Sequence, residues 1–241
     1  MKYINETKEC YAACSVIGQN NKERAAECED VIYIDKASGI NFFGLADGQT
    51  GKEHCCDGGK EVLSSVFRFI IKKGISQMIN YEHTDELQYE LIRTIRETIS
   101  KLASSAGMEK AEYASTVVAF AYDPKTYNFV LIHLGDGGII GQGKNEEISM
   151  LSSPENGLTA NYTWLTTSQD ALNHLRIEFG NTRFYKRILM ITDGASVFAN
   201  GKNIPDKSKR LIASGSREDI VSFLNESNPE DDASCIVIDF V

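Results

Sequence analysis

Acidic residues stand beside the apolar runs of this chain in a repeated arrangement. Asp47, Asp136 and Asp193 each follow an apolar run and precede a glycine, Asp231 opens the last run, and Glu29-Asp30 precedes an early one. If neighbouring strands bring these carboxylates to one rim of a sheet, the rim can bind divalent metal ions. The pattern therefore predicts metal-assisted hydrolysis.

The number of these acids matters more than any one of them. A lone Asp-Gly pair is usually only a turn, but a turn does not require an acid, since Asn or Ser serves equally. Two carboxylates about 4 Å apart repel by roughly 4 kcal/mol at an effective dielectric constant of about 20. Divalent cations remove this repulsion, and hard oxygen ligands suit Mg²⁺ or Mn²⁺. Two such ions can activate a bridging water and hold a phosphate oxygen.

The composition predicts one globular domain over residues 1–241, because 42% of the residues are hydrophobic and this length suffices for a single core. The formal charge of -9 argues against nucleic acid or an anionic membrane surface as a partner. No apolar leader opens the chain, and the longest charge-free apolar stretch, residues 113–122, is too short to span a bilayer. These features predict a cytoplasmic protein.

The six cysteines lack the paired spacing of a zinc site or a disulfide framework, which predicts reduced thiols. A soft-metal site formed by His54 with the neighbouring cysteines is disfavoured for the same reason.

Apolar periodicity gives an α+β order of strands, a helix pair, strands, a helix and a strand. Strands are predicted at residues 11–18, 31–35, 40–46, 116–122, 127–134, 139–142, 187–192 and at the C-terminal end. Helices are predicted from Gly59 through Met78, from an N-cap at Thr84 to Gly107, over residues 168–179, and after a capping box at Ser216 and Asp219. Residues 20–30 are predicted to form a charged insertion and residues 143–166 an irregular surface flap.

The acidic motifs, taken in order, resemble those of the metal-dependent Ser/Thr protein phosphatases of type 2C, the PPM family. That family has an acidic pair, DGHGG, a GST-type strand, GDSR, an apolar strand ending in DG, and a D-N-x-T strand. The matching segments here are Glu29-Asp30, Asp47 to Gly51, Ala114 to Thr116, Gly135 to Gly138, Asp193-Gly194 and Asp231 to Ser234. The resemblance spans essentially the whole chain and is to a short, bacterial-type member.

The resemblance implies a four-layer αββα sandwich, with two central antiparallel β-sheets flanked by helix pairs and a metal centre at one end. It also implies two Mn²⁺ or Mg²⁺ ions that activate a water for direct attack on a phosphorylated protein. By position, Asp47 would bridge the ions beside the Gly48 carbonyl, and Asp193 and Asp231 would complete one metal site.

The remaining implied ligands belong to further ions. Asp30, with Glu29, would hold the second ion largely through waters. Asp136 matches the position that binds a weaker third ion in bacterial members.

The departures from the family concern the substrate. Gln49 stands where the family has a histidine, and an amide cannot give a proton to a serine or threonine leaving group. His54 is a nearby substitute, although an exposed loop histidine is the simpler interpretation. Arg24 is the candidate for the phosphate-binding arginine, but it lies six residues before Asp30, one more than usual. Gly137-Gly138 replaces the usual Ser-Arg.

Three functions therefore stay open at the level of sequence. The leading hypothesis is a metal-dependent phosphoprotein (Ser/Thr) phosphatase acting in signalling. The second is a catalytically weak, phosphatase-like regulatory or binding module, which Gln49 and the displaced arginine motivate. The third is a phosphatase for small phosphate esters with good leaving groups. The segment that ends at Trp164 is either a recognition loop or the site of a buried structural tryptophan.

Overall fold

The computed structural model describes residues 2–4, 10–81, 84–156 and 163–240. The strands of these ranges are β1 (Lys2–Ile4), β2 (Tyr11–Val16), β3 (Asp30–Ala37), β4 (Ile40–Asp47), β5 (Val117–Tyr122), β6 (Asn128–Leu134), β7 (Gly138–Gly143), β8 (Ile148–Ser152), β9 (Arg176–Asn181), β10 (Tyr185–Ile191) and β11 (Ala233–Asp239). The helices are α1 (Gln19–Glu23), α2 (Cys55–Lys73), α3 (Ile75–Ile79), α4 (Thr84–Ala106), α5 (Ala171–His174), α6 (Asp206–Ser214) and α7 (Arg217–Glu226).

Two antiparallel sheets form the centre of the molecule. The strand order is β1-β2-β11-β10-β7-β8 in the six-stranded sheet and β3-β4-β5-β6-β9 in the five-stranded sheet. Helices α2 and α4 pack on the outer face of the five-stranded sheet, and α6 and α7 pack on the outer face of the other. The predicted four-layer αββα sandwich is confirmed.

Strand β4 shows how the residue pattern directs side chains to each layer. Phe42 and Ala46 pack with α2 and α4, whereas Phe43 and Leu45 pack between the sheets. This alternation follows from the two-residue period of a strand. Asp47 lies two residues after Leu45, so its side chain faces the other sheet as those of Phe43 and Leu45 do. The last side chain of β4 is therefore directed to the rim between the sheets.

The antiparallel pairing brings acids from distant parts of the sequence to this rim. Strands β4, β6 and β10 end there, while β3 and β11 begin there. In an antiparallel pair the end of one strand lies beside the start of its neighbour. The rim therefore collects the acids that follow some strands and those that precede others.

Two predictions for the middle of the chain are wrong. Residues 148–152 of the predicted irregular flap form β8, which pairs with β7. The predicted helix over residues 168–179 is only α5, and its second half is β9, paired with β6. Ile177 and Phe179 both pack toward α4. Two side chains that are two residues apart and face the same way have the period of a strand and not that of a helix. Residues 157–162 of the flap lie outside the described residues.

The helix predictions are confirmed where the sequence has a capping motif or a long apolar stripe. The capping box of Ser216 and Asp219 opens α7, and α4 has the predicted extent. The first predicted helix is interrupted at Gly74, which has a φ of 76° and separates α2 from α3. Helix α6 and the short α1 inside the charged insertion were not predicted. No helix in the described part of the chain is long and apolar enough to cross a membrane.

Candidate metal centre

Three carboxylates from both sheets converge at the rim. Asp47 ends β4, Asp136 follows β6 and Asp193 follows β10. One carboxylate oxygen from each of them lies within 4.8 Å of the others. Among the described residues, this is the one such group of three or more His, Cys, Asp or Glu side chains. The described cysteines and His54 therefore form no comparable soft-metal cluster, and all six cysteines are free thiols.

Glycine follows Asp47 and Asp193 because another segment lies against the backbone at each position. A Cβ on Gly48 would lie 2.5 Å from Cys55 Sγ, and a Cβ on Gly194 would lie 2.1 Å from the Asp232 carbonyl oxygen. Both distances are far inside van der Waals contact. The two Asp-Gly pairs thus let the start of α2 and the start of β11 pack directly against the rim.

Asp30 lies opposite Asp47 in the β3–β4 ladder. It is 8% exposed, and Thr192 Oγ1 donates to its Oδ2 at 2.9 Å. The backbone of Asp47 is fixed by Thr116, whose Oγ1 accepts from Asp47 N at 2.9 Å and whose N donates to Asp47 O at 2.8 Å. Sequence reasoning did not single out Thr192, because no strand pattern tells which hydroxyl will meet a carboxylate from another sheet.

Burial and mutual repulsion raise the pKa values of the rim carboxyls. Burial first, and then the charges of Asp30 and Asp193, hold the pKa of Asp47 well above its usual range. Burial, with the charges of Asp136 and Asp231, raises the pKa of Asp193 to about 7. Burial likewise raises the pKa of Asp30 and that of Asp136. Carboxyls shifted in this way are typical of sites that hold a cation or perform acid–base chemistry.

The two acids at the start of β11 have different surroundings. Asp231 is exposed and lines the same cavity as the three clustered carboxylates. Asp232 is 3% exposed, and its carboxylate accepts hydrogen bonds from Gly18 N at 2.7 Å, Asn21 Nδ2 at 2.7 Å and Glu29 N at 2.6 Å. Asp232 therefore joins the start of β11 to α1 and β3, and Asp231 is left as the candidate ligand.

Glu29 lies beside the rim and is not a member of the carboxylate cluster. Its Oε1 accepts from Gly51 N at 3.0 Å, and its carbonyl oxygen accepts from Gly48 N at 3.2 Å. The side chain therefore contacts the loop that follows Asp47.

Arg24 is not brought to the cavity. Its guanidinium donates to Asn21 Oδ1 at 2.6 Å and to the Asn20 carbonyl at 3.2 Å, and the residue is exposed. Both contacts are within or beside α1, so Arg24 caps the end of that short helix.

Gln49 and His54 lie in different environments. Gln49 is exposed and lines the cavity, directly after the Asp47-Gly48 pair. His54 is half-buried, and its ring stacks on that of Tyr113 with the centroids 5.5 Å apart. His54 is not among the described lining residues, so the structure brings Gln49 and not His54 to the cavity.

The cavity above the carboxylates has a volume of about 650 Å³. Its described lining residues are Asp47, Gly48, Gln49, Thr50, Asp136, Thr163, Leu165, Thr167, Ser168, Asp193 and Asp231. No lysine or arginine is among them. Four hydroxyl side chains face four carboxylates, which gives an acidic, hydroxylated site.

The donor set fits a hard divalent cation. All candidate side-chain ligands are carboxylates, and Asp30 Oδ1 and Asp136 Oδ1 are buried without a hydrogen-bond partner among the described residues. Buried carboxylate oxygens normally have a partner, so such atoms at a carboxylate cluster favour a cation. An αββα sandwich with a carboxylate rim of this kind is the architecture of a metal-dependent phosphatase.

Comparison with known proteins agrees with this class. The sequence matches the protein phosphatase 2C family over residues 17–228, and the chain belongs to that family. Its members are metal-dependent Ser/Thr phosphatases, and the chain is a hydrolase of this type. The match ends before Asp231, so the assignment of that residue depends on its position at the rim. No curated protein matches the sequence significantly.

Several solved structures share the fold. The serine/threonine phosphatase Stp1 from Staphylococcus aureus has a TM-score of 0.67 at 16% identity, over 98% of this chain and 96% of that one. The catalytic domain of the phosphatase PstP, solved with two manganese ions, has a TM-score of 0.63 at 16% identity, over 95% and 96%. RsbX, solved with magnesium, has a TM-score of 0.57 at 13% identity, over 98% and 97%. At these identities the similarity shows the fold.

Proposed function

We propose that this chain is a phosphoprotein phosphatase that hydrolyses phosphoserine or phosphothreonine with two Mn²⁺ or Mg²⁺ ions. The observation that carries the proposal is the convergence of Asp47, Asp136 and Asp193 within 4.8 Å at the floor of an open cavity. Family membership supports the reaction class, and the cluster supports the rim as its proposed site.

The rim residues would divide between the ions according to their positions. Asp47 would serve both ions, with the Gly48 carbonyl beside it, and Asp193 and Asp231 would complete one metal site. Asp30, which lies opposite Asp47 in the β3–β4 ladder, would hold the second ion. Two bound ions lower the pKa of a water and neutralise charge that develops on a transferred phosphoryl group.

Two further acids complete the proposed set. Glu29 would act on the second ion through water while it holds the loop at Gly51. Asp136, with one oxygen unpartnered among the described residues, is the candidate for a third ion.

The lining of the cavity affects how a phosphate would be held. Its described residues include no cation, and Arg24 contacts α1 instead. The negative charge of a phosphate would therefore be balanced by the ions, with Thr50 and Thr167 as available hydroxyl donors. Binding of phosphate should consequently depend on metal more strongly than in a site with an arginine.

Gln49 favours a second candidate function, a phosphatase for small esters with good leaving groups. An amide cannot protonate an alkoxide, and loss of a general acid typically costs about 10²- to 10⁴-fold in rate. An aryl phosphate, whose leaving group is stable without a proton, does not incur this cost. Apart from the rim carboxylates, which are the candidate metal ligands, the described lining residues include no histidine, lysine, tyrosine or cysteine that could act as a general acid.

The test is phosphate release from a phosphothreonine peptide and from an aryl phosphate, with Mn²⁺, Mg²⁺ or a chelator. Metal-dependent release from the peptide supports the phosphoprotein phosphatase. Release from the aryl phosphate alone supports the small-ester enzyme. No release from either substrate by the folded, metal-loaded protein would contradict both and favour a regulatory or binding module.

A further inference from the structure

One wall of the cavity comes from the segment of residues 163–168, here called the wall segment. It supplies Thr163, Leu165, Thr167 and Ser168, four of the described lining residues. At its start, the Thr163 hydroxyl donates to Asp136 Oδ2. The wall segment is therefore attached to the carboxylate rim at one point and needs other contacts to keep its remaining side chains in place.

The middle of the wall segment is held by Ser115, which lies just before β5. Thr166 N donates to the Ser115 carbonyl at 2.9 Å, and Ser115 N donates to Thr166 Oγ1 at 3.3 Å. Thr166 is fully buried, so these bonds are shielded from water. These two hydrogen bonds hold Thr166 beside the start of β5. They do not involve Trp164, which lies between the lining residues Thr163 and Leu165.

Trp164 is oriented by a stacked histidine. The rings of Trp164 and His174 lie 3.8 Å apart between centroids and 9° from parallel. His174 Nδ1 lies 2.6 Å from Glu155 Oε1, so the carboxylate of Glu155 sets the direction of the imidazole ring. The chain has one tryptophan, which makes this stack observable by fluorescence.

Glu155 joins three separate parts of the molecule. Its Oε2 lies 3.8 Å from Arg176 Nε on β9, and its backbone N donates at 3.0 Å to the carbonyl oxygen of Gly135, the residue before Asp136. Arg176 in turn donates to the Ser153 carbonyl at 2.6 Å. Glu155 thus links the end of β6 through its backbone N, and its carboxylate links the edge strand β9 and, through His174, the wall segment.

We propose that Glu155 is a positioning residue for a phosphopeptide substrate, acting through His174 and Trp164 on the wall segment. The proposal rests on the proposed phosphatase function. A peptide reaches beyond the carboxylate rim and contacts the wall, whereas an aryl phosphate contacts the rim alone. Residues that hold a binding surface in place through a second set of contacts typically govern affinity more than the chemical step.

The test compares Glu155→Ala and Glu155→Gln with Glu86→Gln, a matched change at an exposed position in the first turn of α4. For Glu155→Ala we expect the KM for a phosphothreonine peptide to rise by about 10-fold, since misplacement of about 1 Å costs up to about 10²-fold. The kcat for an aryl phosphate should stay within about twofold, and Trp164 emission should shift to longer wavelength as the stack opens. For Glu155→Gln we expect a peptide KM between those of the wild type and Glu155→Ala, because the amide oxygen can still accept a hydrogen bond from His174.

Two further results decide the matter. His174→Ala removes the stacked ring but leaves the pair of Glu155 and Arg176, so the same rise in KM is expected even if Glu155→Ala fails to fold. An unchanged peptide KM in the folded variants, or an unchanged Trp164 emission, would overturn the positioning role. If the wild-type protein hydrolyses neither substrate, the proposed function itself fails, and the emission measurement still shows whether the stack exists.

Discussion

Asp30 and Asp47 are directly paired residues of the β3–β4 ladder, and burial raises the pKa of both. Antiparallel pairing alone thus places two carboxylates side by side at the rim. Asp193 and Asp136 add charge from two other strands. A cation between them turns this repulsion into a stabilising contact, so the metal should affect both stability and activity.

Replacement of a clustered carboxylate should abolish hydrolysis and preserve the fold. For Asp47→Asn and for Asp193→Asn we expect the kcat/KM for an aryl phosphate to fall by more than about 100-fold, the upper range for residues that only support a metal ligand. Phosphate release would be measured at saturating Mn²⁺, with circular dichroism as the check of folding and Glu86→Gln as the control. Activity that survives both changes would contradict the assignment of the metal site.

The stability of the metal-free protein should depend on pH through Asp193. Its folded-state pKa is raised to about 7, above the usual 3.8. A raised carboxyl pKa favours the folded state fully below pH 3.8, and this contribution is lost as the pH rises through about 7. With a chelator present, Asp193→Asn should therefore be more stable than the wild type at pH 8 and equally stable at pH 4.

The expected size of this effect is about 1 kcal/mol, because the Asp193 carboxyl is surrounded by protein and other carboxyls but is still open to solvent, which screens much of the repulsion. Thermal unfolding at the two pH values measures it. Mn²⁺ at about 100 times its Kd should stabilise the wild type by about 2.7 kcal/mol and the variant by less. A variant that is less stable than the wild type at pH 8 in chelator would show that the carboxylates do not repel one another.

The neighbours Asp231 and Asp232 should respond in opposite ways to the same substitution. Asp232→Ala leaves the backbone N–H groups of Gly18 and Glu29 without an acceptor, and Asn21 Nδ2 loses the shortest of its hydrogen bonds. Each buried unpaired donor costs about 1–3 kcal/mol, so we expect a loss of at least about 2 kcal/mol in the free energy of unfolding. Asp231→Ala removes one of the charges that raise the pKa of Asp193, so it should not lower the metal-free stability at pH 8, and it should abolish activity. Urea unfolding in chelator compares them, and equal losses of stability would contradict the separation of roles.

Gln49→His should improve the peptide reaction selectively. A general acid contributes about 10²- to 10⁴-fold, and an imperfectly placed one should still raise kcat for a phosphothreonine peptide by about 10-fold. The aryl phosphate rate should change by less than about twofold, since its leaving group needs no proton. Gln49→Asn, which keeps an amide, is the control. No gain on the peptide would indicate that another group already supplies the proton.

The sequence predicted those parts of the fold that depend on local pattern. Strands with alternating apolar residues, such as β4, and helices with a cap or a long stripe, such as α7 and α4, lie where predicted. Strand β9 was missed because a short segment rich in apolar residues fits either a helix or a strand, and pairing with β6 decides between them. Helix α6 was missed because it is short and has few apolar residues, so no long apolar stripe marks it.

The candidate site was predictable in its residue types and less so in its contacts. The sequence indicated that Asp47, Asp136 and Asp193 would meet, because each follows a strand. The resemblance pointed to Asp231 as the ligand, but the sequence did not predict the structural role of Asp232, since its partners include Gly18 and Asn21, more than 200 residues away in the sequence. The contacts of Glu155 with Gly135, His174 and Arg176 were not predicted, because they join elements whose structure was itself predicted wrongly.

The most direct test of the metal centre is Mn²⁺ binding measured by calorimetry on the wild type and Asp47→Asn, with phosphate release followed in the same samples. We expect the wild type to bind at least two ions per chain and to release phosphate in proportion to their occupancy. Asp47→Asn should lose both binding and release. Full activity in chelator, or equal Mn²⁺ binding by the folded variant, would contradict a metal-dependent phosphatase built on this rim.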